Sequence, residues 1–277
     1  MALRRQGNKV PFFDTNRIKL GDTIIILGQT DSGKSILEYH LLSLMADWFS
    51  YGIAFTPTHS SKEMFAKIMP RSFIHDPDKE ILDSHIERIK RHARKRTKYG
   101  REPRSNFIIF DDTAGDAKFM RSKALDGYLT KNRHDKCSIL MTLQGTKVIS
   151  PASRENCKFV FAFYSPNLAF RKDINQIFFG MLKPKEFDEL FDEVTQNWGC
   201  LVLDKKAAAK SRNWRDYISW FRATLPEDLP KFTLCDDNFF LLDRISGTDR
   251  EDYDDDIEDD PHHIVRLTAA GEVLHEE

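Results

Sequence analysis

The sequence predicts an α/β fold, a mostly parallel central sheet flanked by helices, and three observations carry that prediction. Short apolar runs alternate with longer helical patterns from residue 20 to about 165, the order that a parallel sheet with crossover helices produces. The run "TIIIL" passes into "GQTDSGKS" and then into an amphipathic stretch, which reads as strand, loop and helix. A second apolar run, "NFIIF", ends in the adjacent acids Asp111 and Asp112.

In chain order, strands are expected at 23–27, 52–56, 72–75, 106–110, 138–143 and 159–163, each short and rich in β-branched or aromatic residues. Helices are expected at 34–48, 61–68, 79–96, 117–130 and 184–195, where apolar residues recur at helical spacing. "GCLVLD" (199–204) and "YISWFRA" (217–223) read as two late strands around a polar, mobile "KKAAAKSRN". Beyond Ala223 the pattern weakens, and 248–263 is an acidic low-complexity run that should stay solvated. The expected organisation is an extension over 1–19, one domain over 20–223 and an acidic tail over 224–277.

Composition bounds the partners. Of 277 residues, 40% are apolar and 31% charged, which suits a globular chain with a real core. A net charge of −1 means that any affinity for a polyanion must come from local clusters. Cys137, Cys157, Cys200 and Cys235 show no metal-ligand spacing and read as reduced thiols. The start of the chain has no signal-peptide apolar region, and no stretch approaches the roughly 18 apolar residues that a membrane span needs. An intracellular or particle-borne protein is therefore expected.

Gly28-Gln29-Thr30-Asp31-Ser32-Gly33-Lys34-Ser35 fits GxxxxGK[ST], the phosphate-binding P-loop or Walker A motif, in its confirming context. Gly28 and Gly33 let the backbone turn so that successive N–H groups face phosphates at a helix N-terminus. Lys34 should reach the β and γ phosphates of ATP, and Ser35 should bind Mg²⁺. Asp111 reads as the Walker B acid behind that metal, with Asp112 placed to orient or deprotonate the attacking water. For Asp112 the alternative is a helix cap.

The next strand is bracketed by Arg133 before it and Gln144 at its end. In a parallel sheet Gln144 should lie beside the P-loop and Asp111, where it can sense the γ-phosphate or water. Arg133 falls at the far end, about 20 to 30 Å away at strand rise per residue, so it can serve only a neighbouring subunit's nucleotide. The alternatives are a strand-ending Gln144 and a surface Arg133 beside His134.

Walker A, "FIIFDD", "NRH" before a strand closing in "TLQ", and "SRENCKFVFAF" together resemble the poxvirus-type genome-packaging ATPases of nucleocytoplasmic large DNA viruses, a branch of the FtsK/HerA superfamily. The resemblance covers roughly residues 20 to 223. It implies an additional-strand, RecA/FtsK-like P-loop NTPase that forms a hexameric or pentameric homo-oligomeric ring. Such a ring hydrolyses ATP with Mg²⁺ and threads double-stranded DNA into a preformed capsid, in the host cytoplasm or virion, with capsid or inner-membrane virion proteins as further partners. It implies Lys34 and Ser35 as Walker A residues, Asp111 and Asp112 as the Walker B pair, Gln144 as sensor and Arg133 as trans-acting finger. The second Walker B position, often glutamate in that family, is aspartate here. Arg154 in "SREN" is a second candidate for a trans arginine. A cellular HerA/FtsK-like pump or helicase, and a nucleotide-switched interaction module, are the alternatives.

"RIKRHARKRTKYGREPR" (88–104) packs nine Lys or Arg into seventeen residues. As a helix it sets Leu82, Ile86, Ile89 and Ala93 on one face and Arg91, Arg94, Lys95 and Lys98 on another, an array suited to DNA phosphates. The plain alternative is a solvated face. "KKAAAKSRNWR" (205–215) is a second basic candidate.

Overall fold

The computed structural model describes residues 10–246 and the two-residue strands Arg266–Leu267 and Val273–Leu274, which pair antiparallel. The acidic run at 248–263 lies outside the described residues.

Eight strands form one sheet: β1 (Thr23–Leu27), β2 (Tyr51–Phe55), β3 (Ile74–His75), β4 (Asn106–Phe110), β5 (Cys137–Leu143), β6 (Phe159–Phe163), β7 (Gly199–Asp204) and β8 (Ile218–Arg222). Their order is β3-β2-β4-β5-β1-β6-β7-β8, parallel through β6 and antiparallel in the last two pairs. Every residue of β1, β2, β4, β5, β6 and β7 is buried, as a sheet covered on both faces requires. That double burial explains why these strands read as continuous apolar runs rather than alternating ones.

The helices are α1 (Lys34–Met45), α2 (His59–Phe65), α3 (Lys79–Lys98), α4 (Ala117–Met120), α5 (Lys123–Leu129), α6 (Pro151–Asn156), α7 (Leu168–Phe178), α8 (Pro184–Val194), α9 (Lys205–Ala208) and α10 (Asp237–Ser246). The single helix expected over 117–130 is two, because the Ser122 hydroxyl accepts the Leu125 N–H and starts a new helix there. The stretch expected to be mobile after β7 instead opens with α9, capped when Asp204 accepts the Ala207 N–H.

Both sheet edges are covered. Phe13 N–H donates to the Trp220 carbonyl and Trp220 N–H to the Pro11 carbonyl, so residues 11–13 run along β8. At the other edge Phe239 of α10 packs on Tyr51 and Phe73, and the Asp243 carboxylate accepts the N–H groups of Arg71 and Ser72.

Candidate active site

The strand order sets the site. β5 lies between β1, which feeds the phosphate loop, and β4, which ends in the paired acids. Leu27 pairs with Leu143 and Phe110 with Met141, so the ends of all three strands meet at one edge.

Around the loop, the Gly28 N–H donates to the Leu143 carbonyl, and a Cβ on Gly28 would come within 2.3 Å of Ser32 Oγ. Gly33, at φ 98, is the N-cap of α1 and brings no side-chain cap, so the first-turn N–H groups remain available to an anion. Ser32 Oγ is buried without a partner, a second sign of a missing acceptor or donor at that point. Lys34 is buried and donates to the Gln29 carbonyl at 2.7 Å. Burial lowers its pKa, and the charges of Asp112 and Asp111 oppose that shift.

Asp111, 2% exposed, is held from both sides. Its Oδ1 accepts from Thr142 Oγ1 at 2.8 Å and its Oδ2 from Thr56 Oγ1 at 3.1 Å. The same Thr142 hydroxyl accepts the Asp112 N–H at 2.9 Å. Asp112 adopts the left-handed conformation, φ 48, and its Oδ1 accepts from Gln144 Nε2. The two residues expected to manage the water are therefore in direct contact. Glu38, one turn after Lys34, is fully buried; its carboxylate oxygens find no donor, and burial and then the adjacent Asp111 push its pKa well above the ordinary carboxylate value.

The remaining candidates lie elsewhere. Arg133 is exposed beside Gly21, which precedes β1, at the opposite end of the sheet from the loop; a Cβ on Gly21 would sit 3.1 Å from Arg133 Cα. Arg154, half-buried, donates to the Thr146 carbonyl at 3.0 Å, and its own carbonyl accepts from Lys205. Leu82, Ile86, Ile89 and Ala93 are the buried face of α3, while Arg91, Arg94, Lys95 and Lys98 are exposed near its C-terminal end. That end precedes β4, so it too lies toward the edge away from the phosphate loop. Of the second basic stretch, Lys205 is engaged by the carbonyls of Arg154 and Glu155, and Lys206 by Asp22, the Arg17 carbonyl and the Phe159 ring.

The model of the family described as "Poxvirus A32 protein" matches residues 11–181, well over half of the chain. The chain belongs to the poxvirus A32 protein family. The poxvirus-type packaging-ATPase resemblance carried by the motifs thus holds, and with it the reading of this A32-family chain as an ATPase. Protein 075L of Invertebrate iridescent virus 6 is 29% identical over 208 residues, spanning 73% of the A32-family chain and 77% of its relative. Among solved structures, the genome packaging NTPase B204 of Sulfolobus turreted icosahedral virus 2, in complex with ATP-gammaS, superposes with a TM-score of 0.54 at 16% identity, covering 75% of this chain and 100% of B204. EssC (ATPases 2 and 3) from Geobacillus thermodenitrificans gives 0.52 at 13% identity, covering 81% of this chain and 43% of EssC. These likenesses place the A32-family chain in the FtsK-like P-loop fold.

Among the described residues no three His, Cys, Asp or Glu side chains form a ready metal cage. A magnesium ion held by one carboxylate, one hydroxyl and substrate phosphates needs none. Asp111, fixed by two hydroxyl donors at the level of the loop, and the exposed Ser35 fit that donor set.

Proposed function

We propose that this chain is the motor of viral genome packaging: a ring of identical subunits that hydrolyses ATP and drives double-stranded DNA into a preformed capsid. The observation that carries the reading is the continuous hydrogen-bonded set Thr56, Asp111, Thr142, Asp112 and Gln144 at the mouth of the phosphate loop. A nucleotide-binding module without hydrolysis has no use for a fixed acid pair backed by a polar sensor.

In this reading the loop N–H groups and Ser32 take the phosphates, and Lys34 exchanges the Gln29 carbonyl for phosphate oxygens. Asp111 and Ser35 would hold Mg²⁺, which neutralises charge on the phosphate oxygens. Gln144 and Asp112 position the attacking water, and Asp112 receives its proton. Arg133, far from its own nucleotide, is assigned to the site of the next subunit, where it would stabilise charge on the transferring phosphoryl group. Arg154 is given a supporting role as a second trans arginine, its guanidinium already holding the Thr146 carbonyl on the turn that follows Gln144. The exposed basic residues of α3 are assigned to DNA phosphates, and the assembly site or virion is the proposed location.

ATP hydrolysis measured with and without duplex DNA across a salt series tests the proposal. The expected result is stimulation by DNA that collapses steeply as salt rises, and loss of hydrolysis in Lys34→Ala. A rate indifferent to DNA, or one that Lys34→Ala leaves intact, refutes the motor.

A further inference from the structure

Three of the large apolar side chains that the fold leaves exposed converge on one hollow. Phe12 (41% exposed), Trp198 (65%) and Leu225 (46%) all line a concavity of about 1190 Å³. Its wall includes Gly33 and Ile36, the cap and first turn of α1, so the hollow is continuous with the phosphate loop. Trp198 also borders a smaller hollow of about 420 Å³ whose other wall is Gln29 to Ser32. The indole stands at the shoulder of the loop: a Cβ on Gly33 would lie 3.5 Å from the Trp198 ring.

The chain goes to some cost to hold it there. Asn197 (φ 52) and Trp198 (φ 63) are consecutive non-glycine residues in the left-handed region, which a bulky aromatic seldom occupies. Gly199 closes the turn so tightly that a Cβ there would meet the Val194 carbonyl oxygen at 2.1 Å. An indole kept out of the core by a strained turn, beside a site for phosphates, is placed for something flat that arrives attached to those phosphates. The polar groups around the hollow suit a sugar: Asp14, Thr15 and Asn16 lie on one side, and Thr224, whose N–H donates to His40 Nδ1 at 2.7 Å, lies on the other.

We infer that this concavity seats the nucleoside, and that Trp198 stacks on the purine base of the nucleotide whose phosphates the loop holds. The inference rests on the P-loop reading. Stacking uses the face common to every base, so Trp198 confers affinity for a nucleoside over bare phosphate rather than discrimination among purines.

The test compares ATP with inorganic tripolyphosphate, which carries the phosphates and no base, by calorimetric titration of the full chain. Trp198→Ala is expected to weaken ATP binding roughly tenfold or more and to leave tripolyphosphate binding unchanged. Trp198→Leu, which keeps apolar bulk without a ring, is expected to behave as Trp198→Ala does, and Trp198→Phe to retain most of the affinity; these two decide the matter if the alanine variant does not fold. Unaltered ATP affinity in Trp198→Leu overturns the inference. So does an equal loss for both ligands, which would make the indole a prop for Gly33, and so does a loss of subunit association at constant ATP affinity, which would make the occupant a neighbouring copy of the chain. Lys34→Ala separates the two readings. If it weakens both ligands while the Trp198 variants weaken neither, only the base seat fails. If it weakens neither, the phosphate site itself is misassigned.

Discussion

The Thr142 hydroxyl donates to Asp111 at 2.8 Å while it accepts the backbone N–H of Asp112 at 2.9 Å, so one side chain sets the orientation of both acids. Thr142→Val keeps the shape and removes both bonds. Steady-state hydrolysis is expected to fall about 10- to 100-fold, the usual effect of losing a group that orients a metal ligand. Denaturant melts should show a loss of about 1–3 kcal/mol from the partners left unsatisfied. Full activity in this variant would show that the acids orient themselves.

Gly33 tests the loop's backbone. At φ 98, with a Cβ position 3.3 Å from the Phe163 ring, it tolerates no side chain without movement. Gly33→Ala is expected to cost about 1–2 kcal/mol in stability through the left-handed conformation alone. Its larger effect is on ATP affinity, because the N–H groups that follow must turn away from the phosphates. Titration calorimetry on the folded variant measures this, and wild-type affinity would contradict it.

The loop, the acid pair and Gln144 were legible because local backbone chemistry restricts which residues can stand at those positions. The residues that hold Asp111 were not, since Thr56 and Thr142 reach it only through the register of three parallel strands. A signal existed for Thr142: it lies on β5 two residues before Gln144, which directly follows the strand, so an extended chain turns both to the same face. Glu38 shares a helix face with Lys34 for the corresponding reason at spacing four. α7 carries a signal of its own that the expected helices do not include: Phe170, Ile174 and Phe178 recur at intervals of four behind the Asn167 cap. Trp198 offered no periodic pattern, only a lone aromatic before a glycine, and its meaning comes from the turn that β7 and α8 impose.

Buried imidazoles make the fold sensitive to acid. Burial, reinforced by Arg88 and His75, holds the His85 pKa well below 6.5, and burial lowers His40 and His75 as well. Below about pH 6.5 the unfolded chain binds protons that the folded chain refuses, so the histidine contribution to stability falls as pH drops through that value. Glu38 works in the opposite sense, since its raised pKa lets the folded chain hold a proton that the unfolded chain releases, so the histidine contribution is read by difference: between pH 7 and pH 5, His85→Gln should lose less melting temperature, or gain more, than the unaltered chain. An unchanged slope in that variant would remove His85 from the explanation.

The two basic regions should separate in one experiment. Lys206 pairs with Asp22, which is 3% exposed and also accepts the Lys19 N–H, so Lys206→Ala leaves a buried carboxylate without its counter-charge and should cost about 1–3 kcal/mol. Its effect on DNA binding should be nil. Arg94→Ala and Lys98→Ala lie on an exposed face and should change stability by no more than about 0.5 kcal/mol. Each should weaken duplex binding and lower the salt slope by about 1. The opposite assignment of effects would move the DNA path from α3 to α9.

A mixture tests the shared site. Arg133→Ala and Asp112→Asn subunits, each inactive alone, should recover part of the hydrolysis when co-assembled, because some interfaces then pair an intact loop with an intact arginine. Mixed assemblies that stay inactive would confine Arg133 to a structural role.

Asn132 gives the neighbouring arginine a mechanical meaning. Its side-chain amide donates to the carbonyls of Gly21 and Cys137, at 3.0 and 2.7 Å, and so rivets the Arg133 turn to the roots of β1 and β5 together. A turn fastened to two central strands has no slack. In the proposed ring, a shift of those strands at the phosphate end would act as a pushrod on the far edge, where the next subunit would sit.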